Sequence, residues 1–163
     1  MEFKIGDNVV YPPQGAGRVQ EVTSREVLGE THKYLKIVFV RGDMEVLVPL
    51  KKANDVGLRH TISKKELERI HDTLLRADLS LPEQWPPRYR AEQKILTGGS
   101  AYEIAKLIGL LAKQDLEKGL ALTEREVYES AKTMLAGELA VVNKQTLEEA
   151  KTELDGFIAE NIG

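Results

Sequence analysis

The chain has no cysteine among its 163 residues, so disulfides, thiolate nucleophiles and cysteine-ligated metals are excluded. Aromatics are scarce at 6%, with a single tryptophan, so the core must rest mainly on aliphatic packing. The three histidines, His32, His60 and His71, are too dispersed to suggest a metal site or a catalytic base. Long apolar runs are missing as well. The longest, around residues 107–112, has the length of a helix core and falls far short of the roughly 20 residues a membrane span needs. The opening Met1-Glu2-Phe3-Lys4-Ile5-Gly6-Asp7 has neither the basic start nor the apolar segment of a secretory signal. These absences predict a cytoplasmic protein with no membrane partner.

What is present is an ordinary folding composition, 42% hydrophobic and 30% charged, too aliphatic for disorder. A net charge of −3 argues against unaided binding to polyanions. Its distribution is uneven. Residues 85–118 carry six basic side chains (Arg88, Arg90, Lys94, Lys106, Lys113, Lys118) against four acidic ones (Glu92, Glu103, Asp115, Glu117). From 126 onward three basic residues face eight acidic ones. This pattern is first that of solvated helix faces; the alternative is a local basic patch masked in the total by an acidic tail.

Up to about residue 60 the chain reads as short strands punctuated by turns. Asn8-Val9-Val10-Tyr11 stops at Pro12-Pro13, Gly15-Ala16-Gly17 predicts a turn, and residues 18–27 carry Val19, Val22 and Val27. Leu28-Gly29-Glu30 turns into an apolar, partly β-branched run over 34–40, and Arg41-Gly42-Asp43 leads into 44–48, which ends at Pro49. Such a meander predicts a small SH3-like barrel with at least one strand edge open for pairing.

Beyond residue 60 the apolar period becomes helical. Four Ser/Thr-x-x-Glu boxes, Ser63/Glu66, Ser100/Glu103, Thr123/Glu126 and Thr146/Glu149, predict helix starts, the hydroxyl accepting from an orphan N–H while the Glu reaches back. Behind them come Leu67, Ile70 and Leu74; Ile104, Leu107, Ile108 and Leu111; Val127, Ala131, Met134 and Leu135; and Leu147, Ala150, Leu154, Phe157 and Ile158. A fifth helix is expected over 88–96, stopped at Gly98-Gly99. The expectation is an α+β chain, β then all-α. A β domain spans residues 1–60, a compact five-helix domain spans 61–163, and the joint lies near 57–61.

No catalytic constellation emerges. The carboxylates sit at caps and on polar helix faces. Gly15-Ala16-Gly17 lacks the Lys-Ser/Thr and the following helix of a phosphate loop. Gly98-Gly99-Ser100 is accounted for by a helix stop followed by a helix cap. Nothing assembles a nucleophile, a base and an oxyanion donor, so the chain is expected to be no enzyme and to need no cofactor or metal.

Trp85 is the residue that composition does not explain. It lies in Leu81-Pro82-Glu83-Gln84-Trp85-Pro86-Pro87-Arg88-Tyr89-Arg90, where prolines stiffen the backbone and discourage helix before Arg88. One reading has it fill a gap between barrel and bundle. The other makes it a wedge at a DNA base step, with guanidinium groups on the flanking phosphates.

Val9-Val10-Tyr11-Pro12-x-x-Gly15-x-Gly17, Arg41-Gly42-Asp43 with Val48-Pro49, Trp85 followed by Arg88-Tyr89-Arg90, and Gly137-Glu138-Leu139-Ala140 occur in an order and at spacings that resemble the CarD family of bacterial transcription regulators over the whole chain. Two departures stand out: Gln14 where many members have histidine, and Leu47 where some relatives have a basic residue. The resemblance implies an N-terminal Tudor-like, SH3-like module that binds the β subunit of RNA polymerase through an exposed strand edge, with Arg25, Val27 and Leu47 at polymerase-contacting positions. Leu47 offers no charge there. The resemblance further implies a helical domain on promoter DNA at the upstream edge of the melted region. There Trp85 would wedge into the minor groove, largely independently of sequence, with Arg90 and Arg125 at basic DNA-contacting positions. Arg88 joins them on its spacing to Trp85. Such a protein stabilises the open complex and is nucleoid-associated through polymerase. A protein–protein adaptor without DNA contact, or an RNA-binding module, remains the alternative in another class.

Overall fold

A computed structural model describes residues 2–12, 14–98 and 100–162; of the expected stops, Pro13 and Gly99 lie outside these. Among the described residues five strands form one antiparallel sheet: β1 (Asn8–Tyr11), β2 (Gly15–Val27), β3 (Glu30–Phe39), β4 (Glu45–Pro49) and β5 (Arg59–His60), in the order β4-β3-β2-β1-β5. Five helices follow: α1 (Leu67–Arg76), α2 (Pro87–Gly98), α3 (Ala101–Lys118), α4 (Leu122–Asn143) and α5 (Leu147–Asn161). The fold is α+β, sheet first and helices after.

Alternation builds the sheet core. Val9, Val19, Leu35, Ile37, Phe39 and Val48 point inward and are buried together with Phe3. Residues 15–17, expected as a turn, instead begin β2, with Gly17 paired to Phe39 and Val9. The strands approach so closely here that a Cβ on Gly17 would sit 2.5 Å from the Val38 carbonyl oxygen. The β2–β3 connection is a two-residue loop, Leu28-Gly29, with both φ values positive (51° and 81°). This is the mirror-image turn whose twist matches that of a hairpin.

The helical core gathers Ile70, Leu74, Leu107, Ile108, Leu111 and Leu135, all essentially inaccessible to water. Two of the four capping boxes are used. Thr146 and Glu149 make a complete reciprocal box, and Ser100 accepts from the Glu103 amide. Ser63 caps nothing with its side chain, because a 3-10 turn over Lys64–Glu66 precedes α1. Thr123 lies inside α4, whose N-cap is Ala121.

The halves meet along α4. Val10 and Ala16 of the sheet pack on Val141, with Val40 alongside. At the centre Glu138, 2% exposed, receives both arms of Arg59 at 2.8 and 3.0 Å and the Ile62 amide at 2.9 Å. A bidentate guanidinium–carboxylate pair fixes orientation as well as distance. It joins the last strand and the residues after it to the C-terminal third of the longest helix.

Candidate functional site

The segment between α1 and α2 reaches the surface in stages. Leu79 and Leu81 still pack on the helical core; residues 82–86 are exposed. Trp85 is 48% exposed, with its ring tilted by 50° against Tyr89 at 5.3 Å between centroids. Backbone bonds from the Arg88 amide to the Gln84 carbonyl and from Arg90 to Pro86 close the first turn behind it. Trp85 therefore stands on the rim of the helical domain with an open face, while aliphatic residues and the Arg59–Glu138 pair join the halves.

Arg88 does not share that exposure. Its side chain, 16% accessible, turns inward. Nε donates to Glu124 at 2.6 Å and an Nη to Gln114 at 2.7 Å, and Gln114 donates in turn to the other Glu124 oxygen at 2.7 Å. Glu92, one turn along α2, lies 3.5 Å from the same Nε and is wholly buried with neither oxygen hydrogen-bonded. Burial pushes the Glu92 carboxyl up to about 8; neighbouring Glu124 adds to the rise and Arg88 opposes it. Burial acts on Glu124 in the same direction, but Glu92, the Arg88 fork and Gln114 together hold it below its ordinary value. The result is one neutral and one charged carboxyl around one guanidinium, the inexpensive way to bury three ionisable groups.

The other two basic residues stay at the surface. Arg90 is exposed at the start of α2. Arg125, in the first turn of α4, meets Asp115 of α3 at 2.6 Å with 45% of its side chain still accessible. Arg88, next to the Trp85 loop, is joined to Gln114 and Glu124, the chain neighbours of the Asp115–Arg125 pair.

The register of the sheet shows which face carries Arg25, Val27 and Leu47. Leu35 and Ile37 pair with Val48 and Val46 on the inner face. Side chains alternate, so Lys36, paired with Leu47, is on the outer face, as are Tyr34 paired with Thr23 and His32 paired with Arg25. Arg25, Val27 and Leu47 thus share one outer face. Beyond Tyr34, which pairs with Pro49, β4 has ended, and β3 continues to Glu30 with no strand among the described residues paired on that edge. A groove of about 520 Å³ lies there, lined by Val27, His32, Tyr34, Pro49, Lys51 and Lys52 among others.

Sequence patterns missed the carboxylate side of the Arg88 cluster. Thr123/Glu126 has the form of a capping box, but α4 starts two residues earlier, after Ala121, which puts Glu124 in its first turn and buried. The i,i+4 spacing of Arg88 and Glu92 was the available signal. Among the described residues no cluster of acidic, histidine or cysteine side chains could hold a metal ion, and no helix is long and apolar enough to cross a membrane.

Residues 3–62 match the family model described as the CarD-like/TRCF RID domain, and residues 69–155 match that of the CarD C-terminal domain. YdeB of Bacillus subtilis strain 168, a candidate transcription factor, is 28% identical over 137 residues, covering 84% of this chain and 90% of its own. The solution NMR structure of the 72-residue N-terminal domain of Myxococcus xanthus CarD is 32% identical, covering 36% of this chain and 79% of that one, with a TM-score of 0.32.

Proposed function

Because this chain belongs to the CarD family, carrying both of that family's domains in order, we propose that it is a transcription regulator that docks on RNA polymerase and stabilises the promoter open complex with Trp85. The observation that carries this reading is the open face of Trp85 at the rim of the helical domain, in a loop closed by its own backbone bonds.

The barrel is the docking half. Its uncovered β3 edge can pair with a strand of the polymerase β subunit through main-chain hydrogen bonds, and Arg25, Val27 and Leu47 add side-chain selectivity from the outer face. Docking raises the local concentration of the helical domain beside promoter DNA, so a weak, largely sequence-independent contact suffices. That is how a chain of net charge −3 acts on a polyanion. Trp85 is a large, stiffly mounted apolar surface that fits an unstacked base step in the minor groove at the upstream edge of the bubble. Arg90 and Arg125 supply charge for the backbone phosphates. A wedge that binds the melted junction better than duplex shifts the equilibrium by that difference alone; about 1.4 kcal/mol gives a tenfold change. No step requires bond chemistry, a cofactor or a metal.

The test compares full-length variants on a polymerase–promoter complex. Trp85→Ala is expected to bind polymerase normally and to shorten open-complex lifetime several-fold, whereas Arg25→Glu weakens retention on immobilised polymerase. An unaltered lifetime with Trp85→Ala would point instead to an adaptor without DNA contact.

A further inference from the structure

We infer that Arg88 is a positioning residue: its guanidinium ties the Trp85 loop to α3 and α4, so that Trp85 is presented from a fixed mount. The inference deepens the DNA-contact reading and rests on it for its consequence.

Arg88 has two roles in the local geometry. Its amide closes the turn that carries Trp85, donating to the Gln84 carbonyl at 3.0 Å, and the next residue, Tyr89, supports the Trp85 ring. Its side chain goes the opposite way. Arg88 to Glu124 (2.6 Å), Arg88 to Gln114 (2.7 Å) and Gln114 to Glu124 (2.7 Å) close a ring across three helices. One residue further along both α3 and α4, Asp115 holds Arg125 at 2.6 Å. Neighbouring residues of α3 therefore grip the two arginines, and neighbouring residues of α4 complete both contacts.

Planar groups joined by short, charge-assisted bonds in a mostly dry site resist shear. Drawing Arg88 out to a phosphate would break its bonds to Glu124 and Gln114 and leave the Glu124 carboxylate without its counter-charge beside buried Glu92, which is costly. Arg88 thus acts through Trp85 and not on DNA. Lysine is no substitute, since an ammonium lacks the fork that reaches Glu124 and Gln114 together.

Trp85 is the only tryptophan, so its fluorescence reports on its mounting without labels. Arg88→Lys and the milder Gln114→Ala are made in the full chain, alone and with Trp85→Ala. Acrylamide quenching is read on the free protein and lifetime on open complexes. Both single variants should raise the quenching constant, by about twofold, and shorten the lifetime toward that of Trp85→Ala. Neither should add a further loss on the Trp85→Ala background. Unchanged quenching in both overturns the inference, as does an additive loss, which would make Arg88 a DNA ligand. Should Arg88→Lys fail to fold, Gln114→Ala decides. If Trp85→Ala itself leaves the lifetime unchanged, the DNA reading fails and the quenching result alone decides the positioning role.

Discussion

Leu28 stands fully exposed at the tip of the β2–β3 hairpin, in the left-handed region of backbone space. A branched apolar residue there costs about 1 kcal/mol relative to one that tolerates positive φ. Leu28→Asn, which gives this loop its preferred Asn-Gly sequence, is therefore expected to raise stability by roughly 0.5–1 kcal/mol in urea unfolding. The same change should weaken retention on polymerase if the hairpin tip takes part in docking. A second residue carries a pH signature. The folded chain keeps a proton on Glu92 up to about pH 8, whereas its ordinary value is 4.5. The stability contributed by the neutral carboxyl is thus fully present below about 4.5 and disappears as pH rises through about 8. Glu92→Gln is permanently neutral. Its stability in urea unfolding should match the wild type near pH 5 and exceed it by pH 9, because only the wild type must then charge a buried carboxyl. Midpoints that run parallel across this range would remove Glu92 as a proton holder.

At the scale of elements, the packing of α1 on α3 depends on Gly109, where an added Cβ would lie 2.1 Å from the Leu74 carbonyl oxygen. Two effects compete in Gly109→Ala. Helix propensity favours alanine by about 1 kcal/mol, and overpacking opposes it by about 1–3 kcal/mol. The obstructing atom is backbone and cannot rotate aside, so net destabilisation is expected in thermal melts. Elements were the most legible part of the sequence. Period-two alternation marked the strands, period 3.6 marked the helices, and the Thr146/Glu149 box set the start of α5. The exceptions have local physical causes. A strand opens at Gly15 because the sheet needs a position without Cβ at Gly17, which looks like a turn in isolation. At Ser63 and Thr123 the motif is present but the helix starts elsewhere. In the candidate site, Trp85 was conspicuous from its proline setting, whereas the inward turn of Arg88 depended on Gln114 and Glu124, 26 and 36 residues away. No local pattern reports such a partner.

For the whole molecule, the decisive contact is one carboxylate. Glu138 is the shared acceptor for Arg59 and for the Ile62 amide, and removing a buried partner from such a pair typically costs about 3 kcal/mol. Glu138→Gln should lower stability by somewhat less, since Arg59 keeps some access to water. Calorimetry should then show sheet and helices unfolding separately where the wild type unfolds as one. Function is expected to fail in a distinctive way: polymerase retention and Trp85 quenching unchanged, open-complex lifetime reduced.

That pattern would make the chain a caliper. With its two jaws, the hairpin face and the tryptophan rim, locked by the Arg59–Glu138 clasp, the protein holds a fixed span. A promoter would then profit from it only if its melted edge fell at that span from the docking point. Selectivity among promoters would then be a matter of spacing, with no base read at all.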